Sequence, residues 1–95
     1  MAKLIRFDGT QEDVFPANAE TGFTLEEMYV LIGCEIVEAV HLCKGITMVV
    51  DENGKLRRDA RERWNQKATE IFQLWRGPID QITGNVLICD DKEFQ

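Results

Sequence analysis

A single α+β domain is the fold this sequence predicts: a small, mainly antiparallel sheet of four to six strands with two helices packed on it. Three observations carry that expectation. The stretch Gly45-Ile-Thr-Met-Val-Val-Asp-Glu-Asn-Gly54 runs an apolar, β-branched strand into a strong hairpin-turn signal. Thr24 and Glu27 stand three apart at the start of an apolar run of helical period, the spacing of a capping box. Tight connections at Asp8-Gly9, Lys44-Gly45 and Asn53-Gly54 favour hairpins over parallel crossovers.

Taken in order, Lys3 to Phe7 reads as a first strand, Asp8-Gly9 as a turn, and Thr10 to Phe15 as a second, more polar strand closed by Pro16. Residues 17–22 are small and polar, a loop. The first helix starts at Thr24, carries Leu25, Met28, Leu31 and Ile32 at helical spacing, staples Phe23 onto Met28 and stops at a left-handed Gly33. From Glu35 to Leu42 the period changes to two, with Ile36, Glu38, Val40 and Leu42 on one face and Val37, Ala39 and His41 on the other. Neither face is wholly apolar, so both are expected to have protein cover along part of their length. Cys43-Lys44-Gly45 turns the chain into the strand Ile46 to Val50, which Asp51 to Gly54 turns again or ends.

A long helix is expected from about Asp59, as its cap, to Arg76, with Trp64, Ala68, Ile71 and Trp75 in one stripe that Phe72 widens. Such a stripe is ordinarily core, so at least one tryptophan is expected inside, the other free for a partner or dimer contact. Gly77-Pro78 stops the helix. Asn85 to Cys89 suits the middle of a sheet, and the charged end should fray. The domain is therefore residues 1–90 with a tail over 91–95, and its expected core is Ile36, Val40, Met48, Val50, Ala68, Ile71, Phe72, Val86 and Ile88.

At 95 residues and a formal charge of −6, the chain makes one domain and is ill suited to non-specific contact with nucleic acid or an anionic membrane. The seventeen acids form no long run, so they read as a solubility device and not as DNA mimicry. No apolar run is long enough to cross a bilayer, and the N-terminal residues lack a signal peptide's apolar stretch and cleavage site. A cytoplasmic location is expected. Cys34, Cys43 and Cys89, odd in number and irregular in spacing, read as reduced thiols.

Catalytic constellations are thin. There is no serine and one histidine, His41; its neighbour Cys43 is two residues away on a strand, where side chains run parallel and do not converge on one proton. His41 and Cys43 also lack the second close pair of a zinc site, and neither glycine-rich phosphate loop is present. No enzyme activity, metal or cofactor is expected. The cationic cluster is the better candidate. Lys55, Arg57, Arg58, Arg61, Arg63 and Lys67 are six of the eleven basic residues, gathered in thirteen positions. Near a helix start their guanidinium forks suit phosphate or carboxylate, although Asp59, Glu62 and Glu70 can equally pair with them on a solvated face.

Three segments carry a resemblance: Asp51-Glu-Asn-Gly-Lys-Leu56, Asn65-Gln-Lys-Ala-Thr69 and Asp80-Gln-Ile-Thr-Gly-Asn-Val-Leu87. Together with Leu31 to Glu38 they resemble a family of small uncharacterised domains encoded by phages, plasmids and their bacterial hosts. One departure is that Arg57 to Arg63 contains no proline where that family often has a prolyl loop. The resemblance implies a small α+β fold of mobile-element origin. By family-level analogy it also implies a non-enzymatic inhibitor that binds a host defence protein in the bacterial cytoplasm. A sponge for a small nucleotide immune signal and a structural accessory domain are the alternatives, and a homo-oligomer fits any of them. The candidate ligand or partner residues are Lys55, Arg57, Arg58, Arg61 and Asn65.

Overall fold

The computed structural model describes residues 2–78 and 81–94, the side chain of Lys55 excepted. Its strands are β1 (Ala2–Ile5), β2 (Gln11–Val14), β3 (Val37–Cys43), β4 (Ile46–Asp51) and β5 (Val86–Asp90); its helices are α1 (Leu25–Ile32) and α2 (Gln66–Arg76). The five strands form one antiparallel sheet in the order β2-β1-β5-β4-β3. Two local hairpins, β1-β2 and β3-β4, are thus joined only when the last strand inserts between them. β5 is apolar on both faces because both are covered, as Asn85 to Cys89 led one to expect.

The helices lie on opposite faces, so the domain has two cores. Phe23, Met28 and Ile32 close over Ala2, Val49, Leu87 and Cys89 on one face. On the other, Ala68 of α2 meets Leu42, Met48, Ile82 and Val86, flanked by Ile71 and Phe72. The capping box at α1 is complete: Glu27 N–H donates to Thr24 Oγ1 at 3.1 Å, and Thr24 N–H donates to Glu27 Oε1 at 2.8 Å. Gly33 ends the helix at φ 79°, where a side chain would be strained.

The predicted core lies almost wholly on the α2 face. Met48, Ala68 and Val86 are buried, and Val40, Val50, Ile71, Phe72 and Ile88 are half-buried. Ile36 is 46% exposed, since it precedes β3 at the sheet's edge. The α1 face was missed because Ala2, Phe23 and Cys89 come from three distant segments with no shared periodicity. Leu25, at helical spacing with Met28 and Ile32, is exposed in the first turn of α1.

Four further expectations need correcting. Asn53-Gly54 makes no hairpin: neither residue takes the positive φ that a type I′ turn needs, and the chain instead enters a one-turn 3₁₀ helix, Gly54–Leu56. Gly54 is small for another reason, because a Cβ there would stand 2.4 Å from Thr83 Oγ1. The long helix starts not at Asp59 but after Asn65. Residues 57–64 form successive turns, and Trp64 bridges Thr83, a tertiary pairing that overrides helix propensity. Neither tryptophan is core: Trp64 is 42% and Trp75 56% exposed. The end of the chain does not fray at Asp90, since Phe23 N–H donates to Glu93 O at 2.7 Å and Phe94 bridges Phe23.

Burial sets the reactivity of the thiols. The Cys89 thiol is pushed up to about 12, by burial first and then by the carboxylates of Glu93, Asp90 and Asp91. Cys34 is raised by burial and by nearby Asp51. Because the thiolate is the reactive form, iodoacetamide at about pH 8 should label half-buried Cys43 in the native protein well before Cys34 and Cys89. Mass spectrometry of the time course checks this, and Cys89 labelling as fast as Cys43 would contradict it.

Candidate functional site

The segment from Leu56 to Trp64 is a surface strap fastened at both ends. Its backbone closes on itself through turns, with Ala60 N–H donating to Arg57 O at 3.2 Å and Arg63 N–H to Asp59 O at 3.1 Å. At the first end, Arg57 Nε donates to Asp51 Oδ2 at 2.8 Å, and the same guanidinium donates to Gly33 O at 3.1 Å. The Asp51 side chain is almost fully buried, so this pair ties the strap to β4 and to the end of α1. At the second end, the Arg63 guanidinium lies 4.7 Å from the centroid of the Phe7 ring, a cation–π contact. Its backbone carbonyl accepts from Gly84 N–H at 2.7 Å.

The cationic cluster is therefore divided. Arg57 and Arg63 are structural and turned inward, while Arg58 and Arg61 are exposed. Asp59 and Glu62 are exposed between them. The outer surface of the strap alternates in charge and adds two large apolar groups, Leu56 at 83% exposure and Trp64. It does not concentrate positive charge, and it does not lie on the first turn of a helix as the sequence suggested. Lys55 precedes it, but its side chain lies outside the described residues.

Asn65 does not join the surface. It is 1% exposed and saturated by its own protein. Its Oδ1 accepts from Ala68 N–H at 3.0 Å, capping α2, and its Nδ2 donates to Ile5 O and Gly84 O, both at 2.9 Å. Thr69 Oγ1 donates to Asn65 O at 2.8 Å and accepts from Ile82 N–H at 3.0 Å. Asn85 Oδ1 accepts from Phe7 N–H at 3.2 Å. Asn65, Thr69, Ile82, Gly84 and Asn85, the residues on which much of the resemblance rested, thus form a polar lock joining β1, α2 and the approach to β5. Asp80 of that motif lies outside the described residues. A cap signal at Asn65, with Ala68-Thr69 following, could have been read as a helix start, but the stronger-looking Asp59 lay upstream.

An open depression of about 540 Å³ adjoins the Arg57–Asp51 pair, bordered by Tyr29, Gly33, Cys34 and Asn53. Removing Arg57 takes the cation from a buried carboxylate and leaves it only the Asn53 N–H, which donates to Asp51 Oδ1 at 3.0 Å. Arg57→Ala is expected to cost about 2 to 3 kcal/mol, whereas Arg58→Ser with Arg61→Ser should stay within about 0.5 kcal/mol of the parent. Urea denaturation of the two variants checks the split. Equal losses would contradict the inward and outward assignment.

The sequence profile of a family described as Domain of unknown function (DUF3846) matches residues 4–95. No curated protein and no solved structure matches the chain. The chain belongs to the DUF3846 family.

Proposed function

We propose that this DUF3846 member is a non-enzymatic accessory protein of a phage or other mobile element. In this reading it acts in the cytoplasm of the bacterial host by docking the Leu56–Trp64 strap onto a protein component of a defence or other host system. The observation that carries the reading is the strap's division of labour. Arg57 and Arg63 hold the backbone, and Leu56, Arg58, Arg61 and Trp64 face outward. Arginine and tryptophan are the residue types that most often dominate protein interfaces, and a pre-fastened backbone loses little entropy on docking. The mobile-element origin rests on the sequence resemblance, and among the described residues no helix is long and apolar enough to cross a membrane.

Alternating charge favours a protein over a polyphosphate. A phosphate-binding site gathers cations, whereas Asp59 and Glu62 interrupt this strap and Arg57 is already held by Asp51. A sponge for a nucleotide-type signal is the second reading, favoured by the depression that Tyr29 and Arg57 both border. A thermal-shift screen against cyclic and ADP-ribose-type nucleotides, run beside capture from a bacterial lysate, separates the two. A nucleotide at a hundred times its dissociation constant adds about 2.7 kcal/mol to stability. Salt-sensitive capture of a host protein, unaffected by nucleotide, supports the first reading.

A further inference from the structure

The two edges of the sheet differ in how well they are closed to pairing. β2 is four residues long and carries Glu12 and Asp13, features that discourage strand addition. β3 is seven residues long and, among the described residues, pairs on one side only, with β4. Glu52 N–H donates to Ile36 O at 3.1 Å. In an antiparallel ladder hydrogen-bonding direction alternates along the strand, so Ile36, Glu38 and Val40 bond toward β4. The N–H and C=O groups of Val37, Ala39 and His41 therefore point outward.

Beside this edge, on the α2 face, lies a cavity of about 220 Å³. Val40, Val50, Phe72 and Ile82 supply apolar walls, and Glu38 and Glu52 supply carboxylates. Both glutamates are exposed and, among the described residues, neither meets a cation. Asp51 also borders the cavity, but its carboxylate is held by Arg57. Ligand sites for whole small molecules run to roughly 300–1,000 Å³, so this one is sized for a single side chain. An apolar stem ending in a cation matches apolar walls with carboxylates beside them.

We propose that β3 is a docking edge for an extended segment of a partner protein that carries a lysine or arginine. The segment pairs with the outward groups of Val37, Ala39 and His41, and its cationic side chain enters the cavity toward Glu38 and Glu52. Main-chain bonds supply affinity and the pocket supplies selectivity, as in other strand additions. The strand edge and the cavity lining include none of the strap's outward residues Leu56, Arg58, Arg61 and Trp64, and the inference stands whether or not the strap binds a protein.

Titration of isotope-labelled protein with capped Thr-Val-Lys-Val-Thr and Thr-Val-Glu-Val-Thr, followed by amide NMR shifts, tests it. The lysine peptide should give saturable shifts centred on residues 37–41 and bind at least about tenfold more tightly than the glutamate peptide. Glu38→Gln with Glu52→Gln should erase that preference. Ala39→Pro, which removes an outward N–H and no bond to β4, should abolish binding of both peptides while leaving the thermal midpoint nearly unchanged. No saturable shift with the lysine peptide up to about 5 mM, weaker than any working affinity, would overturn the proposal, as would equal binding of the two peptides. Should the proline variant fail to fold, the two glutamine substitutions at exposed positions still decide the matter.

Discussion

Asn65→Ala is expected to cost about 3 to 5 kcal/mol of stability, because it removes a helix cap and leaves the buried carbonyls of Ile5 and Gly84 without their donor. The conservative exchange is the sharper test. Aspartate caps a helix as well as asparagine does, so a residue that mattered only as a cap would tolerate Asn65→Asp. Here aspartate has no N–H to offer, and its charge would face two carbonyl oxygens in the interior. Asn65→Asp should therefore be at least as destabilising as Asn65→Ala in urea denaturation. A value within about 1 kcal/mol of the parent, the scale of an ordinary surface change, would show that the lock is not structural. The asparagine could then return to the binding residues among which the sequence placed it.

Phe23→Ala should have the other large effect, about 3 to 5 kcal/mol for a buried aromatic. Phe23 is almost fully buried against Met28 and Ile32, accepts a bridge from Phe94, and holds the end of the chain through its own N–H. Ile71→Ala, at a site the sequence put in the core but the fold leaves half-buried, should cost only about 1 to 2 kcal/mol. Thermal and urea unfolding of the pair checks the ranking. If Ile71→Ala were the more damaging, the α2 face and not the α1 face would dominate stability.

What was legible in the sequence was local. Thr24, Glu27, Phe23, Met28 and Gly33 specify α1 within ten residues, and every contact they imply is present. The two hairpins and the central strand were readable for the same reason, since turn chemistry and alternation act between near neighbours. What failed depended on distant partners. Trp64 leaves the helix stripe because Thr83 pairs with its backbone, and Gly54 serves to make room for Thr83 and not to form a hairpin turn. The second core face draws on residues from both ends of the chain, so no window of sequence could display it. At the candidate site the clustering of arginines was visible but their division was not. Which of Arg57, Arg58, Arg61 and Arg63 turn inward is set by Asp51, Gly33 and Phe7, none of which is within five positions of its partner.

The central claim is that the strap's outward residues, and not its anchoring arginines, are what a protein partner meets. Quantitative capture from bacterial lysate tests it most directly, comparing the parent with a folded Arg58→Ser, Arg61→Ser variant at low and high salt. Loss of a retained host protein by tenfold or more in the variant, about 1.4 kcal/mol, with weakening of the parent's own capture as salt rises, is the result expected. Equal capture by parent and variant at both salt concentrations would contradict it and return Arg58 and Arg61 to a solvated surface.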